Sequence, residues 1–233
     1  MNFTFPAKLL FFSVLMFLCI PIQAQTWSFE KPSYKEIDKN IQKKDSNLFF
    51  DSLMSRYLRS DSTFTLKEKR HLYYGYVFED EYAPYGRSIY KDSLQEILKN
   101  NTYDFLALNN MIRLGDSILK YEPFDLMVIN YQLFALEQIG DRRNFEKKIV
   151  QLDIVVDALM SSGNGLSKET AFYVIDTSHE YALLGILGFN FGGQQSLIEH
   201  YDYLTLAENK EGVKGLYFDV SPCLESLSGV LED

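Results

Sequence analysis

Six stretches of the first 162 residues carry helical punctuation and few strand signals. They are Asn47–Leu58, Leu66–Phe78, Arg87–Lys99, Tyr103–Lys120, Phe124–Ile139 and Arg142–Met160. Thr65 followed by Glu68 fits a capping box, in which each side chain satisfies a free amide at the helix start. Thr102 is a plausible cap for the fourth segment, and Gly140-Asp141 separates the last two. The last segment carries Phe145, Ile149, Leu152, Val156 and Leu159, steps of 4, 3, 4 and 3 that predict one apolar stripe. The fifth is apolar nearly all round, from Leu126 to Ile139, which predicts a helix with neighbours on several sides.

Taken in pairs, the first helices begin near 47, 87 and 124 and the second near 66, 103 and 142. A hairpin recurring every 37 to 40 residues is the spacing of a stacked helical array. The run Ser117-Ile118-Leu119-Lys120-Tyr121-Glu122-Pro123-Phe124-Asp125 resembles a tetratricopeptide junction, with Pro123 at a helix start where its missing amide hydrogen is tolerated. The Trp-Leu-Gly-Tyr signature of strict repeats is missing and the period exceeds the usual length of about 34 residues, so the likeness is to the hairpin architecture.

The pattern changes at Ser161-Ser162-Gly163-Asn164-Gly165, a turn-rich joint. Thr170–Ile175 then alternates as a strand, with Ala171, Tyr173 and Ile175 on one face and Phe172 and Val174 on the other. A short helix over Ser178–Leu187 follows. Tyr201–Ala207 and Lys214–Val220 read as paired strands, with Leu216, Phe218 and Val220 on one face. Pro222 opens a last helix to about Leu231. The expected fold is α+β, mainly α: antiparallel helical hairpins (25–162), then a small antiparallel sheet with two helices (163–233) that packs on them as one body.

Ahead of residue 25, Lys8 precedes an apolar run from Leu9 to Ile20, and Ile22-Gln23-Ala24 offers a cleavage site, so residues 1–24 read as a signal peptide. The run has 12 residues where a membrane-spanning helix needs about 20, so no transmembrane segment is expected after cleavage. Phe17-Leu18 ahead of Cys19 argues against a lipid-anchored cysteine. The exported chain would carry a formal charge of −10, because Lys8 is the only charged residue lost from a total of −9. That sign disfavours nucleic acid and anionic lipid as partners. Only Cys223 would remain, so stability has to come from packing, and the bulk comes from the aromatic residues, of which the full sequence has 16 Tyr and 18 Phe.

Ser167-Lys168-Glu169-Thr170-Ala171-Phe172-Tyr173-Val174, His179-Glu180-Tyr181, Tyr201-Asp202-Tyr203-Leu204 and Leu216-Tyr217-Phe218-Asp219-Val220-Ser221 together resemble the exported Bacteroidetes proteins grouped as domain of unknown function family 4919. Leu72-Tyr73-Tyr74-Gly75-Tyr76 and Pro123 support the likeness. The resemblance implies a Gram-negative envelope setting, periplasmic or extracellular, and brings no activity and no functional residues with it.

Two constellations could carry function. Asp176, His179, Glu180, His200, Asp202 and Asp219 fall near one edge of the expected sheet, and imidazole with carboxylates there could bind Zn²⁺ or run acid–base hydrolysis. His179-Glu180 lacks the second His of a metalloprotease helix, position 183 being Leu, and Asp176 or Ser178 could simply cap the helix. Tyr73, Tyr74, Tyr76, Phe78, Tyr82, Tyr85 and Tyr90, interleaved with Glu79, Asp80 and Glu81, could instead display rings to a protein or peptide partner. Core packing of Tyr73 and Tyr76 is the plainer reading. Gly163-Asn164-Gly165 and Gly192-Gly193 read as turns, and Cys223 as a packed thiol at a helix start. No cofactor is expected. Binding through the helical half is the leading reading, and a hydrolase centred on His179 the alternative.

Overall fold

Short polar side chains set where the helices begin. In the computed structural model, which describes residues 29–86, 88–100 and 102–231, the capping box at Thr65 and Glu68 opens α3 (Leu66–Gly75), which tightens into a 3-10 turn at Tyr76–Phe78. Both halves of the box are made, and Arg56 adds an ion pair of 2.6 Å to Glu68. Ser88 caps α4 (Ile89–Leu98), Asp125 caps α6 (Leu126–Ile139) and Asp141 caps α7 (Arg142–Met160). The fourth expected helix starts later than Thr102 suggests: the Asp104 carboxylate accepts the Ala107 amide at 2.7 Å and opens α5 (Phe105–Leu119). A carboxylate offers the free amides a stronger acceptor than a hydroxyl, so Asp104 takes the position. Gly140, at φ 74, ends α6 in the left-handed turn that glycine tolerates best.

Two helices precede this set. α2 (Phe50–Leu58) falls where the pattern placed it, while α1 (Tyr34–Ile41) lies ahead of the first expected helix. Only Ile37 and Ile41 of α1 are buried, too few apolar positions to make a period in the sequence. The signal-peptide reading of residues 1–24 falls outside the described residues. Among the described residues no helix is long and apolar enough to cross a membrane.

The helices pack as pairs, α2 on α3, α4 on α5 and α6 on α7. Their neighbours then follow the order α4, α5, α6, α7, α3, α1, so that α3 docks on α7 from the third pair. α6 lies between α5 and α7 with α8 (Ser178–Ile186) against it, as its all-round apolar surface requires. The stripe on α7 is rotated from the expected one: Gln151, Ile154, Val155, Ala158 and Leu159 are buried, whereas Phe145, Ile149, Leu152 and Val156 are only partly covered. A helix clasped by α3 on one side and α6 on the other buries the positions between the two contacts.

After the turn at Gly163-Asn164-Gly165, where the Asn164 and Gly165 amides bond the Thr170 carbonyl at 2.9 and 2.8 Å, comes the small sheet. Its strands are β1 (Phe172–Tyr173), β2 (Phe191–Ile198), β3 (Tyr201–Leu206) and β4 (Gly215–Asp219), in the order β1-β4-β3-β2. β2, β3 and β4 are antiparallel, with Tyr203 opposite Tyr217, and β1 joins β4 in parallel, so the sheet is mixed. Ala171 to Ile175 are all buried, which makes the expected strand shorter than its alternation suggested and covered on both sides. α9 (Ser221–Leu231) closes the chain.

β2 corrects the reading of Gly192-Gly193 as a turn. Both glycines sit inside the strand at an irregularity between Phe191 and Gln195. Gly193 has φ 93, and a Cβ on Gly192 would come within 2.8 Å of the Leu206 backbone. The loop that follows is only Glu199-His200, and Glu199 takes φ 63, a conformation that the sequence gives no glycine to announce.

Leu204, Leu216, Phe218 and Val220 from the sheet share one apolar core with Tyr73, Tyr74, Phe124, Ile154, Val155 and Leu183 from the helices. The helical half and the mixed half therefore pack as one body, as their apolar faces required. A second core, built on Leu94, Met111, Ile118 and Val128, holds α4, α5 and α6 together.

Candidate functional site

α3 delivers its tyrosines inward. Tyr73 and Tyr74 are fully buried and Tyr76 nearly so, which overturns the picture of them as displayed rings. The Tyr73 hydroxyl accepts the Ile175 amide at 3.3 Å and meets His179 Nδ1 at 2.7 Å. Tyr74 donates to the Ala158 carbonyl at 3.2 Å, Tyr76 to the Tyr121 carbonyl at 2.9 Å and Tyr82 to the Ile175 carbonyl at 2.8 Å. Each ring fills the junction between halves while its polar tip finds a carbonyl or imidazole, the combination buried tyrosine needs. Phe78, Tyr85 and Tyr90 do reach solvent, with Tyr85 44% exposed.

His179 is equally enclosed. Burial holds its pKa below the usual histidine range, and its second partner is the Phe124 backbone carbonyl. A neutral ring satisfies both contacts, accepting from Tyr73 at Nδ1 and donating from Nε2. Asp176 accepts the Ser178 amide at 2.8 Å and so organises the start of α8, the plainer of its two roles.

Glu180, the next residue, is fully buried and neither of its carboxylate oxygens accepts a bond from a conventional donor. Its neighbour is the buried carboxyl of Asp202, and burial, with Asp202 and then Asp176 close by, pushes its pKa up to about 9. Two carboxyl groups in contact need a proton between them, so Glu180 is the neutral, donating member at neutral pH. Asp202 in turn accepts Gln195 Nε2 at 2.7 Å, and the Gln195 carbonyl accepts the Tyr181 hydroxyl at 2.5 Å. The chain Tyr181, Gln195, Asp202, Glu180 ties α8 to β2 and β3.

His200 and Asp219 stand apart from that chain. His200 is partly exposed and lies 3.5 Å from Asp219, whose other oxygen holds the Ser221 amide at 3.0 Å and hydroxyl at 2.6 Å at the start of α9. The six candidates thus separate into His179 with Tyr73, Glu180 with Asp202, Asp219 with His200, and Asp176 at its cap. Among the described residues no three His, Cys, Asp or Glu side chains gather where they could hold a metal ion. Cys223 is buried beside Tyr82 and Asp176, and burial pushes its thiol up to about 12, which makes it a poor nucleophile.

An open groove lies elsewhere. About 890 Å³ in volume, it runs between α2, the turn after α3, the end of α5 and α7. Phe50, Met54 and Tyr76 give it an apolar floor. Asp51, Glu79 and Glu81 line one part, and burial followed by the charges of Asp51 and Glu81 raises the Glu79 pKa. Lys148 lies in the same groove, its pKa lowered by burial, 3.9 Å from Asp116. A smaller crevice of about 30 Å³, bordered by Tyr76, Tyr82 and His179, has room for a water molecule and little more. Sequence reasoning singled out Tyr76 and Glu79 and missed Met54, Asp51 and Lys148. Asp51 and Met54 come from α2 and Lys148 from α7, two helices whose meeting no local spacing encodes.

Helix pairs packed against a mixed four-stranded sheet, with a groove among the helices, define a mainly helical α+β protein. The chain belongs to the family described as domain of unknown function (DUF4919), which matches residues 35–228. No curated protein and no solved structure matches it.

Proposed function

We propose that the protein is a non-enzymatic binding protein of the Gram-negative cell envelope, exported by its first 24 residues, that captures a peptide or protein segment in the helical groove. The groove itself carries the reading. At about 890 Å³ it is large enough for several side chains of an extended segment, and it pairs an apolar floor with carboxylates and ammonium groups that can fix orientation. Leu58, on its rim, is 61% exposed, a large apolar side chain left to water beside a concavity. The alternative, an acid–base hydrolase centred on His179, has less support, since both ring nitrogens serve buried contacts and Glu180 is sealed against Asp202.

The test is affinity capture from an envelope extract with the wild-type protein and with a Leu58→Asp, Glu79→Lys double variant. Loss of a specific partner from the folded variant supports the groove, and an unchanged partner set refutes it. Recovery of the protein from a periplasmic or secreted fraction with Gln25 at its start tests export. An intact precursor in the cytosol would refute that part.

A further inference from the structure

We infer that the free edge of the sheet pairs with a second copy of the same chain, strand β2 against strand β2. β2 ends the order β1-β4-β3-β2, and all eight of its residues are exposed. An edge strand offers a row of unpaired amide and carbonyl groups, and proteins that stay apart usually guard it with charge, proline or a covering element. Phe191-Gly192-Gly193-Gln194-Gln195-Ser196-Leu197-Ile198 contains no ionisable residue and no proline. Among the described residues its guard is the irregularity before Gln195, which leaves Gln195 to Ile198 in regular register.

Charge chooses the occupant. The chain carries a net −9, so two copies approaching through most of the surface repel each other. Along β2 that repulsion is missing, and a neutral strand gives no attraction to a basic partner either. What remains is the main chain and the apolar side chains, and both are self-complementary. An antiparallel pair about a two-fold axis joins each strand's donors to the other's acceptors in an isologous contact. Leu197 is 55% exposed and, lying opposite Asp202 in the β2–β3 register, shares the α8-covered face of the sheet. An axis through Leu197 sets that side chain against its counterpart and places Ser196 opposite Ile198, which is itself 41% exposed. The two four-stranded sheets then continue as one.

The experiment is sedimentation of the purified full chain over a concentration series, with Leu197→Asp and Leu197→Cys variants. A concentration-dependent doubling of mass is expected for the wild type. Leu197→Asp puts like charges opposite each other at an exposed position and is expected to weaken the association about tenfold or more with unchanged circular dichroism. Mild oxidation of Leu197→Cys is expected to give a covalent dimer that a Lys35→Cys control does not. A monomer at every concentration overturns the inference. So does a dimer that survives Leu197→Asp, which would place the contact elsewhere, or a monomeric β2 whose amides gain exchange protection only with a foreign peptide.

Discussion

Tyr73 and His179, 106 positions apart, meet through a hydrogen bond of 2.7 Å that joins the first long helix of the helical half to the first helix of the mixed half. Since the same tyrosine oxygen accepts the Ile175 amide, a single hydroxyl serves both a main-chain and a side-chain partner across the junction. Tyr73→Phe keeps the ring and removes that oxygen, leaving a buried amide and a ring nitrogen without partners. The expected loss is about 2 to 4 kcal/mol, from one or two unsatisfied buried groups. Urea denaturation at neutral pH measures it, and a loss below the scatter of such curves would show the bond to be dispensable.

Acid should weaken the same junction. Burial holds the folded-state pKa of His179 below its unfolded value near 6.5, so the unfolded chain binds the extra proton first. Its contribution is complete above that pH and is lost as the pH falls through and below it. Comparing melting temperatures at pH 8 and pH 5.5 for wild type and His179→Gln tests this. The wild type should lose more on acidification than the variant.

Glu180 gives the opposite slope. Its folded-state pKa is raised to about 9 from 4.5, so the folded chain holds a proton that the unfolded chain has released. That stabilisation is full below pH 4.5 and declines as the pH rises toward 9. Glu180→Gln keeps a donor toward Asp202 without a titrating group, and should flatten the alkaline limb of a stability curve. A variant that tracks the wild type between pH 6 and 9 would mean that the two carboxyls do not share a proton.

Cys223 should behave as a buried group. With its thiol fully covered and its pKa raised to about 12 by burial, it should resist iodoacetamide in the native protein at pH 8 and react on unfolding. Mass spectrometry of native and denatured samples separates the two states. Quantitative native labelling would show that α9 opens.

The sequence carried α3 to α7 because each combines a polar cap with an apolar run, as Thr65 and Glu68 show for α3. It carried β3 and β4 through the alternation of Leu204, Leu216 and Phe218. β2 stayed hidden because an edge strand whose eight residues all stay exposed has no apolar alternation, and because its turn uses Glu199 where a glycine would have been a signal. Tyr73 and His179 were both visible as interesting residues, yet nothing local says that they touch. The groove was the least legible feature, since Met54, Glu79 and Lys148 become neighbours only once α3 has docked on α7 instead of its next neighbour in sequence.

That dependence on helix docking makes Gly115 a sharp probe. In an exposed helix, replacing glycine by alanine stabilises by about 1 kcal/mol. Gly115 of α5 faces Gln132 of α6 instead, and a Cβ built there lies 2.6 Å from the Gln132 side chain. Gln132 has no freedom to retreat: it is fully buried, and its amide nitrogen donates to the Ile112 carbonyl at 2.7 Å and to Asp116 at 2.8 Å. Overpacking and the loss of those bonds outweigh propensity, so Gly115→Ala is expected to destabilise by about 1 to 3 kcal/mol. Gly115→Ala combined with Gln132→Ala should recover part of that loss, because the obstructing side chain is gone. Equilibrium unfolding of the two variants and of Gln132→Ala closes the cycle, and additive effects would mean that the two helices do not meet at these residues.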